Sequence, residues 1–82
     1  MIRHMDTRHY NFSVIIERDQ NGYFVSCPEL QGCYSQGDTY EEAMENVRDA
    51  IKLHIKDCIK GREKIPRDRS ISLSTVEVAV KY

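Results

Sequence analysis

Residues 28–42 read PELQGCYSQGDTYEE, and the chain runs on through residues 43–51 as AMENVRDAI. Pro28 lacks the N–H that a ladder needs, so a strand must end there. Gly32 marks a turn, residues 33–36 form a short strand, and Gly37 closes it. Thr39 is the expected N-cap of a long helix, with Glu42 three residues on as its capping-box partner; Asp38 is the alternative cap. Beyond it Tyr40, Met44, Val47, Ile51, Ile55, Cys58 and Ile59 recur at helical spacing and form one apolar stripe. Gly61, preceded by basic residues, is the expected stop. Such a helix spans about 30 Å.

Upstream, residues 9–18 alternate as a strand does, with Tyr10, Phe12, Val14 and Ile16 set against Asn11, Ser13 and Glu17. Asp19-Gln20-Asn21-Gly22 supplies hairpin chemistry, and residues 23–27 return with Tyr23, Val25 and Cys27 on one face. A two-residue turn at Asn21-Gly22 sets Ile16 opposite Cys27 and Arg18 opposite Val25. Downstream, residues 62–70 are charged and contain Pro66, so they read as a loop. Residues 71–80 read as a last strand, in which Val76, Val78 and Val80 alternate with Glu77 and Ala79. The expected fold class is α+β: a three-stranded antiparallel meander, one long helix and a final strand, in the order β-β-β-α-β. Residues 1–8 are set apart as a disordered N-terminus or a leader foreign to the fold. Residues 9–82 are expected to form a single domain.

A chain of 82 residues with formal net charge −1 has room for one thin core. Charge alone gives it no affinity for nucleic acid or an anionic membrane. Acid gathers in residues 38–50 and base in residues 51–69, an arrangement that complements a helix dipole. Cys27, Cys33 and Cys58 are odd in number and lack C-x-x-C spacing, which argues against a disulfide framework and against zinc. They point to a reducing compartment, and a cytoplasmic location follows. No apolar run approaches the ~20 residues of a membrane span, and the polar N-terminus is not a signal peptide.

One helix covers one face of a sheet. The other face is expected to carry Ile15, Phe24, Tyr34 and Ala79 among Ser13, Glu17, Ser26 and Gln36. Scattered exposed apolar side chains are ordinary, whereas a rimmed apolar patch marks a partner; both readings stand at this point. Leu53, opposite Ile51 on the helix, is a second candidate contact. His54 sits at the edge of the stripe, where a packing role is the commoner one. Catalysis finds little support. There is no G-x-S-x-G elbow, and no Ser or Cys has a base at a recognisable spacing. Glu42, Glu45 and Asp49 share one side of the helix, away from the stripe, so they should not converge with Glu17 and Asp19 on a metal. No catalytic residue, cofactor or metal ligand is expected.

The run P-E-L-Q-G-C, followed at the right distance by G-D-T-Y-E-E-A-M-E-N and then by Ile65-Pro66, resembles the HicB family of antitoxins of bacterial and archaeal toxin–antitoxin pairs. The likeness covers roughly residues 9–80. It implies a partly degraded ribonuclease-H-like fold and a protein that binds and blocks a small, basic HicA-type toxin, an mRNA interferase. Partner-binding positions are then expected at Ile15, Glu17, Asp19, Phe24, Glu29, Tyr34 and Leu53. The motif residues Gly22, Gly32, Gly37, Asp38, Thr39 and Glu42 are expected to be structural. A homodimer or homotetramer is expected. Many such proteins carry a C-terminal DNA-binding domain; this sequence stops at Tyr82, so no direct contact with nucleic acid is expected. Two other classes stay open: an interaction domain of the same fold with another partner, and a residual Mg-dependent nuclease using Glu17, Asp19 and a helix carboxylate.

Overall fold

The computed structural model describes residues 7–66 and 70–82. Three strands, β1 (Ile15–Asp19), β2 (Gly22–Ser26) and β3 (Tyr34–Gly37), are followed by helix α1 (Tyr40–Lys60). The strands form one antiparallel sheet in the order β1-β2-β3. The α+β class and the meander-then-helix order are those read from the sequence. Most of the segment set apart at the N-terminus, residues 1–6, lies outside the described residues.

The first hairpin differs from its expected register by two residues. Ile16 pairs with Val25, Arg18 with Tyr23, and Asp19 with Gly22. The turn is therefore Gln20-Asn21, and neither residue has a positive φ. The backbone N–H of Asn21 donates to Asp19 Oδ1 at 2.8 Å, so the aspartate closes the turn as an Asx motif does. The left-handed demand falls one residue later, on Gly22, whose φ is +127°. A Cβ there would also stand 2.8 Å from the Gly37 carbonyl oxygen. A shift of two leaves every side chain on its own face, so the apolar pattern alone does not separate the two registers.

Residues 27–33 fold into a tight plug. Cys27 N–H donates to the Cys33 carbonyl at 2.9 Å, Leu30 N–H to the Cys27 carbonyl at 3.0 Å, and Cys33 N–H to the Leu30 carbonyl at 3.1 Å. Gly32 supplies the positive φ the plug needs, at +76°. Leu30 is driven inward and fully buried. It forms a cluster with Cys27, Cys33 and Ile55, against which Phe12, Val14, Ile51 and Ile65 pack. A second cluster joins Val25, Ala43 and Val47 with Val14, Ile16, Tyr23 and Met44. Thus the sheet's inner face and one face of α1 make the core, two layers deep.

The helix begins as expected. Thr39 Oγ1 accepts from Glu42 N–H at 3.0 Å, and Glu42 Oε1 accepts from Asp38 N–H at 2.5 Å. Both orphan donors at the entry are satisfied. Gly37 lets the helix approach: a Cβ there would lie 2.5 Å from the Ala43 nitrogen. The exit differs from expectation. Gly61 has a right-handed φ of −83°, and the left-handed position is Arg62, at +57°. Arg62 N–H donates to Ile59 and Glu63 N–H to Cys58, which is the Schellman pattern with arginine in the place glycine usually takes. The buried stripe is also narrower than the sequence implies. Ala43, Val47, Ile55 and Cys58 are buried, Met44 and Ile51 are half-buried, and Tyr40 and Ile59 are exposed.

The expected last strand is not paired. Residues 70–82 join no ladder, and Val76, Val78 and Val80 are 78%, 72% and 71% exposed. Alternation specifies a pleated segment with one apolar side; it does not specify the strand that segment pairs with.

Candidate functional site

The outer face of the sheet is built by cross-strand register. Ile15, Ser26 and Tyr34 form one row; Glu17, Phe24 and Gln36 form the next. Side chains in register on adjacent strands share a face. Val25 opposite Ile16 and Ser35 points the other way, into the core. The Phe24 and Tyr34 rings meet diagonally across β2 and β3, with centroids 5.6 Å apart and planes inclined at 35°. Phe24 is 40% exposed and Tyr34 61%. An aromatic pair held by its strands and left open to water has little rotamer entropy left to lose.

The structure brings four of the expected partner-binding residues onto this face: Ile15, Glu17, Phe24 and Tyr34. It separates the other three. Asp19 lies at the hairpin end and is engaged with Asn21. Glu29 is half-buried in the plug, where its Oε1 accepts from Ser13 N–H at 2.6 Å and ties the plug to the segment before β1. Leu53 is exposed on the far side of α1, a layer away from the aromatic pair. Glu17 is the acidic group of the face that makes no hydrogen bond or ion pair among the described residues.

A polar cleft at the hairpin end is lined by Glu17, Asp19, Asp38, Glu42 and Asn46, among others. Two of its four carboxylates are committed, Asp19 to the Asn21 N–H and Glu42 to the Asp38 N–H. Asn46 Nδ2 donates to the Gln36 carbonyl at 2.9 Å, which pins the helix to β3. Among the described residues, no three His, Cys, Asp or Glu side chains stand close enough to hold a metal ion. The cysteines are free and buried. Burial pushes the Cys27 thiol up, with Cys33 adding to the effect, and burial raises Cys33 too. Both stay protonated near neutrality and are poor nucleophiles. His54 is half-buried on the helix and belongs to no group of three candidate ligands among the described residues.

Sequence reasoning missed Leu30 and Ala43 as core residues. An apolar residue caught between Pro28 and Gly32 is the signal for a plug. Ala43, four residues before Val47, is the signal for a close helix–strand contact at Gly37. No described helix is long and apolar enough to cross a membrane.

Fold and face together define a small α+β module that presents an open aromatic sheet surface. The chain belongs to the HicB-like antitoxin family of bacterial toxin–antitoxin systems, whose model matches residues 12–81. It is 43% identical over 60 residues to a UPF0150 protein of Synechocystis, an alignment covering 72% of this chain and 76% of that protein. It is 37% identical over 60 residues to Antitoxin HicB 1 of Photorhabdus laumondii, covering 73% of this chain and 39% of that longer protein. In three dimensions it is similar to the N-terminal domain of the Burkholderia pseudomallei antitoxin HicB, with a TM-score of 0.59 and 31% identity, covering 78% of this chain and 72% of that one.

Proposed function

We propose that this chain neutralises a small, basic mRNA interferase of the HicA type by covering it with the outer face of its sheet. Family membership across residues 12–81 carries the reading. The exposed Phe24–Tyr34 pair, flanked by Ile15 and Glu17, supplies the surface. An apolar aromatic centre with an acidic neighbour suits a partner whose own task is to grip RNA: the rings anchor, and the carboxylate speeds encounter. Asp19, Glu29 and Leu53 are peripheral to that contact. The protein acts in the cytoplasm, as a homo-oligomer, by binding a protein and not nucleic acid, and performs no catalysis of its own. The β-β-β-α order agrees with a partly degraded ribonuclease-H-like fold in which residues 71–80 provide the remaining strand.

The test is co-expression with the protein encoded by the adjacent reading frame. Recovery of a stoichiometric complex, with RNA cleavage by the partner suppressed, is the expected result. An active ribonuclease that fails to co-purify would remove the antitoxin role and leave an interaction domain with another partner.

A further inference from the structure

Where the β2–β3 ladder ends, its register brings two thiols together. Val25 pairs with Ser35 and Ser26 with Tyr34. One step further along, Cys27 falls opposite Cys33, and the Cys27 N–H donates to the Cys33 carbonyl at 2.9 Å. Alternation turns both side chains to the inner face, the face of Val25. There they share one cluster with Leu30 and Ile55. Residues hydrogen-bonded across antiparallel strands have Cα atoms about 5.5 Å apart. That separation lies inside the window a disulfide spans, about 4.4–6.8 Å. The two thiols also feel one another electrostatically, since Cys33 adds to the rise of the Cys27 thiol. Cys58 is buried on α1 and is not part of that cluster.

Burial keeps the pair reduced while the plug is closed. Cys27 is 1% exposed and Cys33 5%, so neither sulfur can be approached in line by another sulfur. Three backbone hydrogen bonds within residues 27–33 and one anchoring side chain, Leu30, hold that closure. Gly32 has open space about it. A short loop secured in this way opens locally without global unfolding. Opening returns both thiols to water and to ordinary nucleophilicity.

We propose that Cys27 and Cys33 are a redox-active dithiol, oxidised by low-molecular-weight disulfides of the glutathione class when the plug opens, and that the resulting bridge locks the plug. Cys33, at the more exposed position, attacks as its thiolate one sulfur of the small disulfide. A mixed disulfide forms and one small thiolate leaves. The Cys27 thiolate then attacks the Cys33 sulfur, the Cys27–Cys33 bond forms, and the second small thiolate leaves. Two protein thiols lose two electrons and one small disulfide gains them. The two thiol protons pass through solvent to the leaving thiolates. The bridge closes a ring one residue from Ser26 and Tyr34, so it fastens the end of the row that carries Tyr34 on the outer face. Because it must fit a turn already fixed by backbone hydrogen bonds, it is constrained and readily reduced. The chemistry stands on the fold alone and is independent of toxin binding, which has its own assay.

The test is incubation of the full-length protein in glutathione buffers of graded oxidised-to-reduced ratio, followed by alkylation in denaturant and mass spectrometry. Trypsin places Cys27 and Cys33 together in residues 19–48 and Cys58 alone in residues 57–60. As oxidised glutathione rises, the first peptide should lose two hydrogens and escape alkylation, while Cys58 stays alkylated. Excess reduced glutathione should restore both thiols, and Cys58→Ser should leave the bridge unchanged. Amide exchange across residues 27–34 should be about tenfold slower in the bridged form, with exchange in α1 unaltered. A bridge to Cys58, glutathione adducts without closure, or thiols that stay reduced at every ratio would each overturn the proposal. So would a bridge that excess thiol does not open, or one that leaves exchange in the plug unchanged.

Discussion

At the scale of single residues, backbone conformation and burial set the consequences. Arg62 occupies a left-handed position that costs an L-residue about 1 kcal/mol relative to glycine. Arg62→Gly should therefore raise the melting temperature by several degrees, and a thermal unfolding curve reads the shift directly. Gly37→Ala should act oppositely, because its methyl would press on the Ala43 backbone. A loss of about 1–3 kcal/mol in denaturant unfolding is expected. The buried thiols add a pH dependence. Their folded pKa values lie above the ordinary value of 9.0, so above that pH the unfolded chain releases protons that the folded chain keeps. Stability is thus fully present below about pH 9 and declines as pH rises beyond it. Cys27→Ala should flatten that alkaline decline.

At the scale of elements, the helix and its cap were legible in the sequence because their signals are local. Thr39 and Glu42 stand three apart and act within one turn. Thr39→Ala should cost about 1 kcal/mol, measured by urea titration. The hairpin was legible in face but not in register, since a slip of two keeps the alternation and only the Asp19 side-chain bond to Asn21 separates the alternatives. The left-handed exit at Arg62 was hidden because a glycine one residue earlier carries the usual signal. The plug at residues 27–33 was recognisable as a motif, yet its purpose was not: Leu30 is buried through three backbone hydrogen bonds that no periodicity encodes. Residues 71–80 show the limit most clearly. Their alternation states what kind of partner they need and is silent on where that partner lies.

At the scale of the whole molecule, the outer face was legible from the sequence for the four residues that register brings together, because strand alternation sorts faces without tertiary information. Asp19, Glu29 and Leu53 were grouped with them by charge or exposure alone, and the fold assigns them to a turn, a plug and a far helix surface. The central claim is that the Phe24–Tyr34 face silences a toxin. The direct measurement is RNA cleavage by the purified neighbouring-frame protein, titrated with this chain and with its Phe24→Ala and Tyr34→Ala variants. Full suppression by the unaltered chain is predicted, with each variant needing about thirtyfold more protein as an anchor worth roughly 2 kcal/mol is lost. Cleavage suppressed equally by all three chains would contradict the placement of the contact on this face, and cleavage unaffected by any of them would contradict the antitoxin role itself.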